Sequence, residues 1–498
     1  MSTTTTDPSG TLGEALRTGR MNRRAWTVTT MLVLFQIVAF ADKAVLGLVA
    51  YQAIPELGIS TVQFGLIGSA FFFLYAIGSV LIGLAAGRTS IKWVIFAMGV
   101  AWAVLQFPML FGGGAAVLLI TRILLGGAEG PATAVSLSSA HSWFKPAERV
   151  LPSNLIAIGS TLGPVLAAPF LAFVISSFGW RWAFGALGIL GLAWILLWWK
   201  LGADGPFAGK DGKAAAEALR HAAKDEASVG QAEGQAEASD PAAAAADERA
   251  QRYELQQRVP WRAILLSSSF LIAVFAGFTN FWTQGFLTTW SPKYLAGVVS
   301  LPPETVALFT TFPWIFGALT LLGLGFLGRT LMRRGHSVRT AIAIPFGACL
   351  TVAGLSFVLL PATSGAASVL LLTLAAGCSV IYPMAPSAMA YAVGAKQRPV
   401  LMAVLGGVAS VGAIVSPTAV GLFMEGAGYR PPAPGTRDSV EMIANMTAGV
   451  NQSFVIAGAL LLLAGILSLL FLNPDRTGER LQRRFAGSPD VSARTPAG

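Results

Sequence analysis

Long apolar stretches, separated by short polar segments, recur along the whole chain. Each is about 20 residues long, the length at which an α-helix crosses the hydrocarbon core of a bilayer. None shows the strict alternation of apolar and polar positions that is typical of strands. The pattern predicts an all-α membrane protein with twelve transmembrane helices, over residues 26–48, 62–86, 93–111, 115–140, 151–177, 182–199, 263–290, 304–327, 339–360, 366–392, 400–424 and 453–472.

Composition agrees with this prediction. Apolar residues make up 54% of the chain and charged residues 12%, with a mean hydropathy of +0.65. These values exclude a water-soluble enzyme of ordinary build. The only cysteines, Cys349 and Cys378, lie inside apolar stretches, which excludes a disulfide scaffold. The net charge of +10 comes from basic residues in the short gaps between stretches, so we expect a lipid bilayer as partner and no nucleic acid.

The basic residues also predict orientation, because cytoplasmic loops of membrane proteins carry an excess of Lys and Arg. If the N-terminus is cytoplasmic, only Arg181, Lys293, Arg430 and Arg437 fall on the opposite side. Twelve crossings then return the C-terminus to the cytoplasm. The sequence predicts a multi-pass protein of the cell (inner) membrane with both termini cytoplasmic.

A change of composition divides the chain in two. Residues 201–262 are rich in Ala, Glu, Asp, Lys and Gly, and they form either short surface helices or a solvated connector. We therefore expect cytoplasmic tails over 1–24 and 474–498, and six-helix halves over 25–200 and 263–473 with the linker between them.

The two halves repeat each other. Gly83–Thr89 leaves the second stretch of the first half, and Gly325–Thr330 leaves the second stretch of the second half, with a related pattern of Gly, Arg and Thr. Parallel repeats around a central site at the membrane midplane are typical of a large class of secondary transporters.

These junctions resemble, in degraded form, the glycine/aspartate/arginine loop motif of the major facilitator superfamily, with Gly87 and Gly328 where that family has Asp. Within the superfamily the chain is similar to the anion:cation symporter branch, which includes galactonate, hexuronate and phthalate permeases. The resemblance implies two pseudo-symmetric six-helix halves and transport by alternating access. It is carried by Phe40–Ala44, Arg122–Pro131, Trp143–Arg149, Gly179–Phe184 and Thr289–Leu295.

Four charged residues lie well inside the predicted spans: Asp42, Lys43, Arg122 and Glu129. Each costs at least ~2.5–3.5 kcal/mol at a span centre unless polar neighbours compensate. Two acids and two bases therefore predict one polar cluster between spans 1 and 4, with Asp42 facing Arg122 and Lys43 facing Glu129, or the converse. The alternative is an ion-pair cluster that only fixes helix packing.

The chemistry of these groups predicts roles. Arg offers a bidentate fork and Lys a point charge to a substrate carboxylate, and a carboxyl near a base can exchange protons. The resemblance implies that Asp42 and Glu129 carry protons, while Lys43 and Arg122 supply positive charge to the substrate. It also implies that Tyr75 faces a central cavity, with interfacial packing as the alternative.

Span 7 supplies two further candidates. Asn280 and Gln284 share one helix face in an apolar stretch, and we predict that they bind substrate or join helices.

No phosphate-binding loop of the Walker type occurs. The three histidines lie in loops, and the sequence has no His/Cys cluster with the spacing of metal ligands. We therefore expect no enzyme activity, no cofactor and no metal. The prediction is a secondary active transporter, monomeric, that takes up a small organic carboxylate by proton symport. The alternatives are a proton-antiporting exporter of an organic anion or drug-like compound and, in a different class, a membrane sensor.

Overall fold

The computed structural model describes residues 19–86, 90–144, 149–206, 259–394 and 397–485. All regular structure in these ranges is helical. Helices satisfy their own backbone hydrogen bonds, which is what allows apolar segments to lie in lipid. The predicted all-α fold with twelve spans is confirmed. Numbered 1 to 12 along the chain, the spans are Arg23–Glu56, Thr61–Ser79, Ile91–Leu110, Ala115–His141, Leu151–Phe178, Trp180–Leu201, Ser268–Thr289, Thr305–Arg333, Arg339–Ala362, Ala366–Ala392, Val400–Gly426 and Val440–Phe471.

Several spans are built from more than one helix. Span 4 breaks at Gly130–Pro131, because proline has no N–H to continue the hydrogen-bond ladder. Within the described residues the α-helices are Gly19–Glu56, Thr61–Ala86, Ile91–Leu110, Ala115–Glu129, Ala132–His141, Val150–Phe178, Trp180–Leu201, Trp261–Leu265, Ser268–Thr289, Ser291–Gly297, Pro303–Arg333, Ile344–Leu359, Ala366–Ser379, Met384–Met389, Arg398–Ala409, Val411–Gly426, Val440–Phe471 and Pro474–Phe485. A π-helical turn, Arg339–Ala343, and two 3-10 turns, Leu360–Ala362 and Ala390–Ala392, complete the helical structure of these ranges.

The described residues form two compact units. The first contains residues 19–206 with Gly285–Ile315 and Ala413–Ser453, and the second contains residues 259–284, 316–412 and 454–485. Most of the predicted linker and most of both predicted tails lie outside the described residues, so the division of the chain into halves at 200 and 263 stays a prediction.

The first unit has an aromatic core in which span 6 packs against spans 1 and 3. The indole N–H of Trp194 donates to the carbonyl of Met31 at 2.9 Å, and that of Trp198 donates to the carbonyl of Lys92 at 3.0 Å. The two indoles stack with centroids 5.4 Å apart. Because each Trp pairs its only polar atom, both rings lie in the apolar core without a desolvation cost.

Of the two loop motifs, Gly87 lies outside the described residues and Gly328 lies in the second unit. A Cβ at position 328 would be 3.0 Å from the carbonyl oxygen of Ala341. Glycine allows this close approach of spans 8 and 9, and a carboxylate there would face a carbonyl oxygen. The absence of the family's Asp at this position therefore has a steric and an electrostatic reason.

Candidate functional site

Three of the four charged residues inside the spans, Asp42, Arg122 and Glu129, lie together in the first unit. Two of them, Asp42 and Arg122, form an ion pair. Arg122 of span 4 donates to Asp42 of span 1 through two nitrogens, with Nη1–Oδ2 at 3.0 Å and Nη2–Oδ1 at 3.2 Å. The exposed fraction is 0% for Asp42 and 2% for Arg122. A bidentate, charge-assisted pair of this kind is the strong form of the interaction. Of the two predicted arrangements, the structure has the one that joins Asp42 to Arg122.

Gln106 of span 3 completes this ion pair. Its Nε2 donates to Asp42 Oδ1 at 2.5 Å, and its Oε1 accepts from Arg122 Nη2 at 3.3 Å. One fully buried amide thus bonds both charged partners, while Nε of Arg122 has no hydrogen-bond partner among the described residues. The sequence analysis missed Gln106. The signal that was available is its place as an uncharged polar residue within the apolar run of span 3.

Glu129 lies beside this pair, close enough to Asp42 for the two carboxyl groups to share a hydrogen bond when one of them is protonated. It is 4% exposed, and it interacts electrostatically with Asp42, Lys43 and Arg122. Among the described residues, no N–H or hydroxyl group donates to either of its carboxyl oxygens. A buried carboxylate without donors is costly, whereas a protonated carboxyl is not. A role for Glu129 in proton coupling stays a prediction.

Lys43 has aromatic partners instead of the predicted Glu129. Its Nζ lies 3.6 Å from the ring centroid of Phe40 and 4.7 Å from that of Tyr75. Within the described ranges, no ion pair joins Lys43 to Glu129. Ring faces attract an ammonium without the cost of desolvating a carboxylate as well. Lys43 therefore has no salt-bridge partner among the described residues, although its positive charge and Glu129 interact at longer range.

Lys43 and Arg122 line the same cavity of the first unit. Residues of spans 2 and 7 line its other walls: Gly68, Phe71, Phe72, Thr288 and Thr289, with Leu46 of span 1. Two basic side chains and two hydroxyl groups therefore line one cavity.

Glycines bring span 2 into contact with the charged part of span 4. A Cβ at Gly126 would lie 1.9 Å from the carbonyl oxygen of Phe71, and one at Gly130 would lie 2.1 Å from that of Tyr75. Only glycine permits backbones to pack this closely. The glycines flanking Glu129 therefore hold Tyr75 at the cluster, where its ring contacts Lys43.

Asn280 and Gln284 belong to the second unit. Asn280 Nδ2 donates to the carbonyl oxygen of Ser379 at 2.5 Å, and Gln284 Nε2 donates to Asn280 Oδ1 at 3.1 Å. Asn280 is fully buried and joins span 7 to span 10. The structure thus places Asn280 in a bond between helices, and a role in substrate binding for both residues stays a prediction.

Known proteins that resemble the chain identify its family. The family model of the Major Facilitator Superfamily matches residues 32–417. The chain belongs to the major facilitator superfamily. The match covers the candidate cluster, from Asp42 to Glu129, and the predicted resemblance is confirmed.

Curated relatives narrow the family. The chain is 28% identical over 302 residues to a hexuronate transporter of Bacillus subtilis (strain 168), covering 60% of this chain and 63% of that protein. It is 26% identical over 312 residues to a probable sulfoacetate transporter of Cupriavidus necator, covering 62% and 66%. The chain thus spans just under two thirds of the length of these relatives. Their names agree with the expectation of a transport protein of the anion branch rather than an enzyme.

A solved structure supports the fold. A bacterial homolog of the human lysosomal transporter Spinster, in an inward-facing and occupied conformation, aligns with a TM-score of 0.70. The alignment covers 91% of this chain and 97% of that chain at 18% sequence identity. At this identity the likeness describes the fold of this superfamily member and not its substrate.

A second buried ion pair lies in the first unit, between connections that flank spans 7 and 12. Lys293 Nζ is 3.8 Å from Asp438 Oδ2, and their side chains are 3% and 5% exposed. Tyr429 donates its hydroxyl to Asp438 Oδ1 at 2.8 Å. Burial lowers the pKa of Lys293, and the Asp438 carboxylate opposes that shift. The sequence analysis treated Lys293 as a loop residue, because the chain separation of 145 positions hides its partner.

Proposed function

We propose that this protein is a secondary active transporter that takes up a small organic carboxylate together with protons by alternating access. The observation that carries the proposal is the bidentate Arg122–Asp42 pair, with Glu129 and Lys43 beside it in a buried cluster. A guanidinium that binds the protein's own carboxylate through two nitrogens has the geometry to bind a substrate carboxylate in the same way.

Coupling follows from competition for Arg122. While Asp42 is ionised it occupies both terminal nitrogens of the guanidinium. A proton on Asp42 removes the negative charge and leaves Arg122 for an incoming anion. Binding of the anion and uptake of the proton then favour each other, which is the requirement of symport.

Glu129 supplies the second proton-binding group of the proposal. A closed and dehydrated cavity that holds an anion beside an ionised Glu129 is unfavourable, and protonation removes that charge. Closure of the site around the anion therefore requires protons, so an inward proton gradient drives uptake.

The names of the relatives support a carboxylate as substrate. Hexuronates and sulfoacetate share a carboxylate group, and the two proteins named for them match this chain along about 60% of its length. Lys43 and Arg122 in one cavity suit the charged end of such a molecule, and Tyr75 lies beside Lys43.

The membrane arrangement belongs to the same proposal. The distribution of basic residues supports an inner-membrane protein with cytoplasmic tails at 1–24 and 474–498 and a cytoplasmic linker over 201–262, between halves at 25–200 and 263–473. One chain holds the whole cluster, so a monomer is sufficient for transport.

The test is uptake by the purified protein in proteoliposomes with an imposed proton gradient. A panel of labelled sugar acids, aromatic acids and dicarboxylates identifies the substrate class. We expect accumulation of at least one carboxylate, abolished by a protonophore. Accumulation that follows a sodium gradient and ignores the protonophore would contradict proton symport.

A further inference from the structure

Polar side chains follow Glu129 along span 4, beyond the break at Gly130–Pro131. Thr133 and Ser136 are three positions apart in the helix Ala132–His141, so they lie within about 60° of the same helix face. The side chain of Ser136 is buried, and Ser139 lies buried one further turn along. Hydroxyl groups at this spacing form a row inside an otherwise apolar span.

Spans 1 and 5 add to this row at its first step. Gln36 of span 1 donates through Nε2 to Thr133 Oγ1 at 2.9 Å and to Ser160 Oγ of span 5 at 3.2 Å. Gln36 is fully buried between the helices. An amide that bonds two hydroxyls on two other spans creates a polar junction directly beyond Glu129.

Three atoms of the row have no protein partner in the described ranges: Gln36 Oε1, Ser136 Oγ and Ser139 Oγ. Buried polar atoms of this kind normally bond ordered water, because leaving them unbonded is costly. No N–H or hydroxyl group of the described residues donates to the carboxyl oxygens of Glu129 either. Unbonded acceptors therefore extend from the carboxyl group along the interior of the first unit.

The row ends at a histidine. Nε2 of the half-buried His141, the last residue of span 4, lies 2.7 Å from Ser153 Oγ. Ser153 in turn donates to the carbonyl oxygen of Arg149 at 2.7 Å. His141 and Arg149 bound a connection on the predicted cytoplasmic side, so the row joins Glu129 to that side of the membrane.

We propose that this row, formed by Gln36, Thr133, Ser136, Ser139 and His141 with water between them, carries protons between Glu129 and the cytoplasm. The proposal rests on the proposed symport and assigns its proton path. In each step a hydroxyl or water oxygen gains one O–H bond and gives up another, while Gln36 orients the hydroxyls of Thr133 and Ser160 through its amide N–H groups. One proton leaves the Glu129 carboxyl for each proton that is released at the His141 end. No oxidant or reductant is involved.

The path is separate from the anion cavity. Lys43 and Arg122 line that cavity with groups of spans 2 and 7, whereas Gln36 and Thr133 lie between spans 1, 4 and 5. The proton therefore leaves Glu129 by a route that does not pass through the anion cavity. Changes in the row are expected to affect coupling and leave anion binding intact.

The first experiment compares Thr133→Val with Thr133→Ser in proteoliposomes. Valine keeps the shape and removes the hydroxyl, whereas serine keeps the hydroxyl. We expect Thr133→Val to slow proton-driven accumulation at least about fivefold while substrate counterflow changes by less than about twofold. Thr133→Ser should behave like the parent in both assays. Protons that enter with substrate are measured with a pH-sensitive dye inside the vesicles.

Two further variants serve as a control and as a second probe. Thr29→Val removes a buried hydroxyl on span 1 that donates only to its own helix, at Ala25, and it should leave both assays unchanged. Gln36→Leu removes the junction itself and should reproduce the Thr133→Val result.

Every outcome of these assays either supports or overturns the proton path. Parent-like proton entry in Thr133→Val and Gln36→Leu would overturn the path and leave the symport standing. Loss of counterflow in both variants, with Thr29→Val normal, would show a structural role and overturn the path as well. If the parent itself moves substrate without protons, the proposed symport fails and the path fails with it.

Discussion

Arg122 binds Asp42 through both terminal nitrogens of its guanidinium, at 3.0 and 3.2 Å, and both residues are buried in the first unit. Breaking a buried pair by removing one partner costs several kcal/mol, because the other charge stays behind. We propose that Arg122 uses the same two nitrogens to bind the anion, which gives the buried charges a function beyond helix packing.

Removal of the Arg122 charge should abolish transport. We expect Arg122→Ala to lower the initial rate of uptake at least about 100-fold, and Arg122→Lys to fail as well, because an ammonium cannot bind a carboxylate through two nitrogens. Surface expression and uptake are measured together. The matched control is Arg181→Ala: Arg181 pairs with Glu56 at 3.1 Å but is partly exposed, so its loss should cost little. Normal uptake by Arg122→Ala would show that the charge is only structural.

Lys43 should tolerate a change that keeps its charge. Its ammonium lies against the rings of Phe40 and Tyr75, and guanidinium groups also pack on ring faces. We expect Lys43→Arg to keep measurable uptake and Lys43→Ala to lose it while the protein remains in the membrane. Equal uptake by the two variants would remove Lys43 from the anion site.

Backbone contact between spans 2 and 4 predicts a sharp difference between two glycines. Gly126→Ala places a Cβ 1.9 Å from the carbonyl oxygen of Phe71 and should destabilise the protein by at least about 2 kcal/mol. Gly323→Ala, where no atom lies within 4 Å, should be neutral or slightly stabilising. Thermal unfolding of the purified proteins in detergent measures the difference. Equal melting temperatures would contradict the packing of these two spans.

The second buried pair predicts a rescue. Asp438→Asn leaves the Lys293 ammonium buried without its carboxylate and should cost about 3–5 kcal/mol, whereas the double variant with Lys293→Met should recover most of that loss. Because burial lowers the pKa of Lys293, the folded protein releases this proton at lower pH than the unfolded chain. The deficit of Asp438→Asn should therefore shrink as pH rises. A double variant as unstable as Asp438→Asn alone would contradict the pairing.

The sequence predicted the features on which insertion into lipid depends most strongly, namely the long apolar runs and the charges inside them. Long apolar runs predicted the spans, and the cost of a charge inside a span singled out Asp42, Lys43, Arg122 and Glu129. The same reasoning missed Gln106, because an uncharged amide in a span carries a smaller penalty. It could not choose the partner of Lys43, since the attraction of two ring faces depends on side-chain packing that no spacing rule describes.

Local structure could be predicted from the sequence more readily than contacts between segments that are far apart in the chain. Proline cannot continue the hydrogen-bond ladder of a helix, so Pro131 is a local signal of the break that the structure has after Glu129. The Lys293–Asp438 pair joins residues 145 positions apart, and the hydrogen bonds of Gln36 reach Thr133 and Ser160 on two other spans. Pairings of this kind depend on the tertiary arrangement and leave no periodic pattern in the chain.

Proton coupling through Asp42 and Glu129 is the central claim, and variants that imitate the protonated carboxyls test it most directly. Asp42→Asn and Glu129→Gln are assayed in proteoliposomes for counterflow of the labelled carboxylate and for its accumulation under an inward proton gradient. The account predicts that both variants exchange substrate and that neither concentrates it. Accumulation equal to that of the parent in either variant, together with parental uptake that ignores a protonophore, would contradict it.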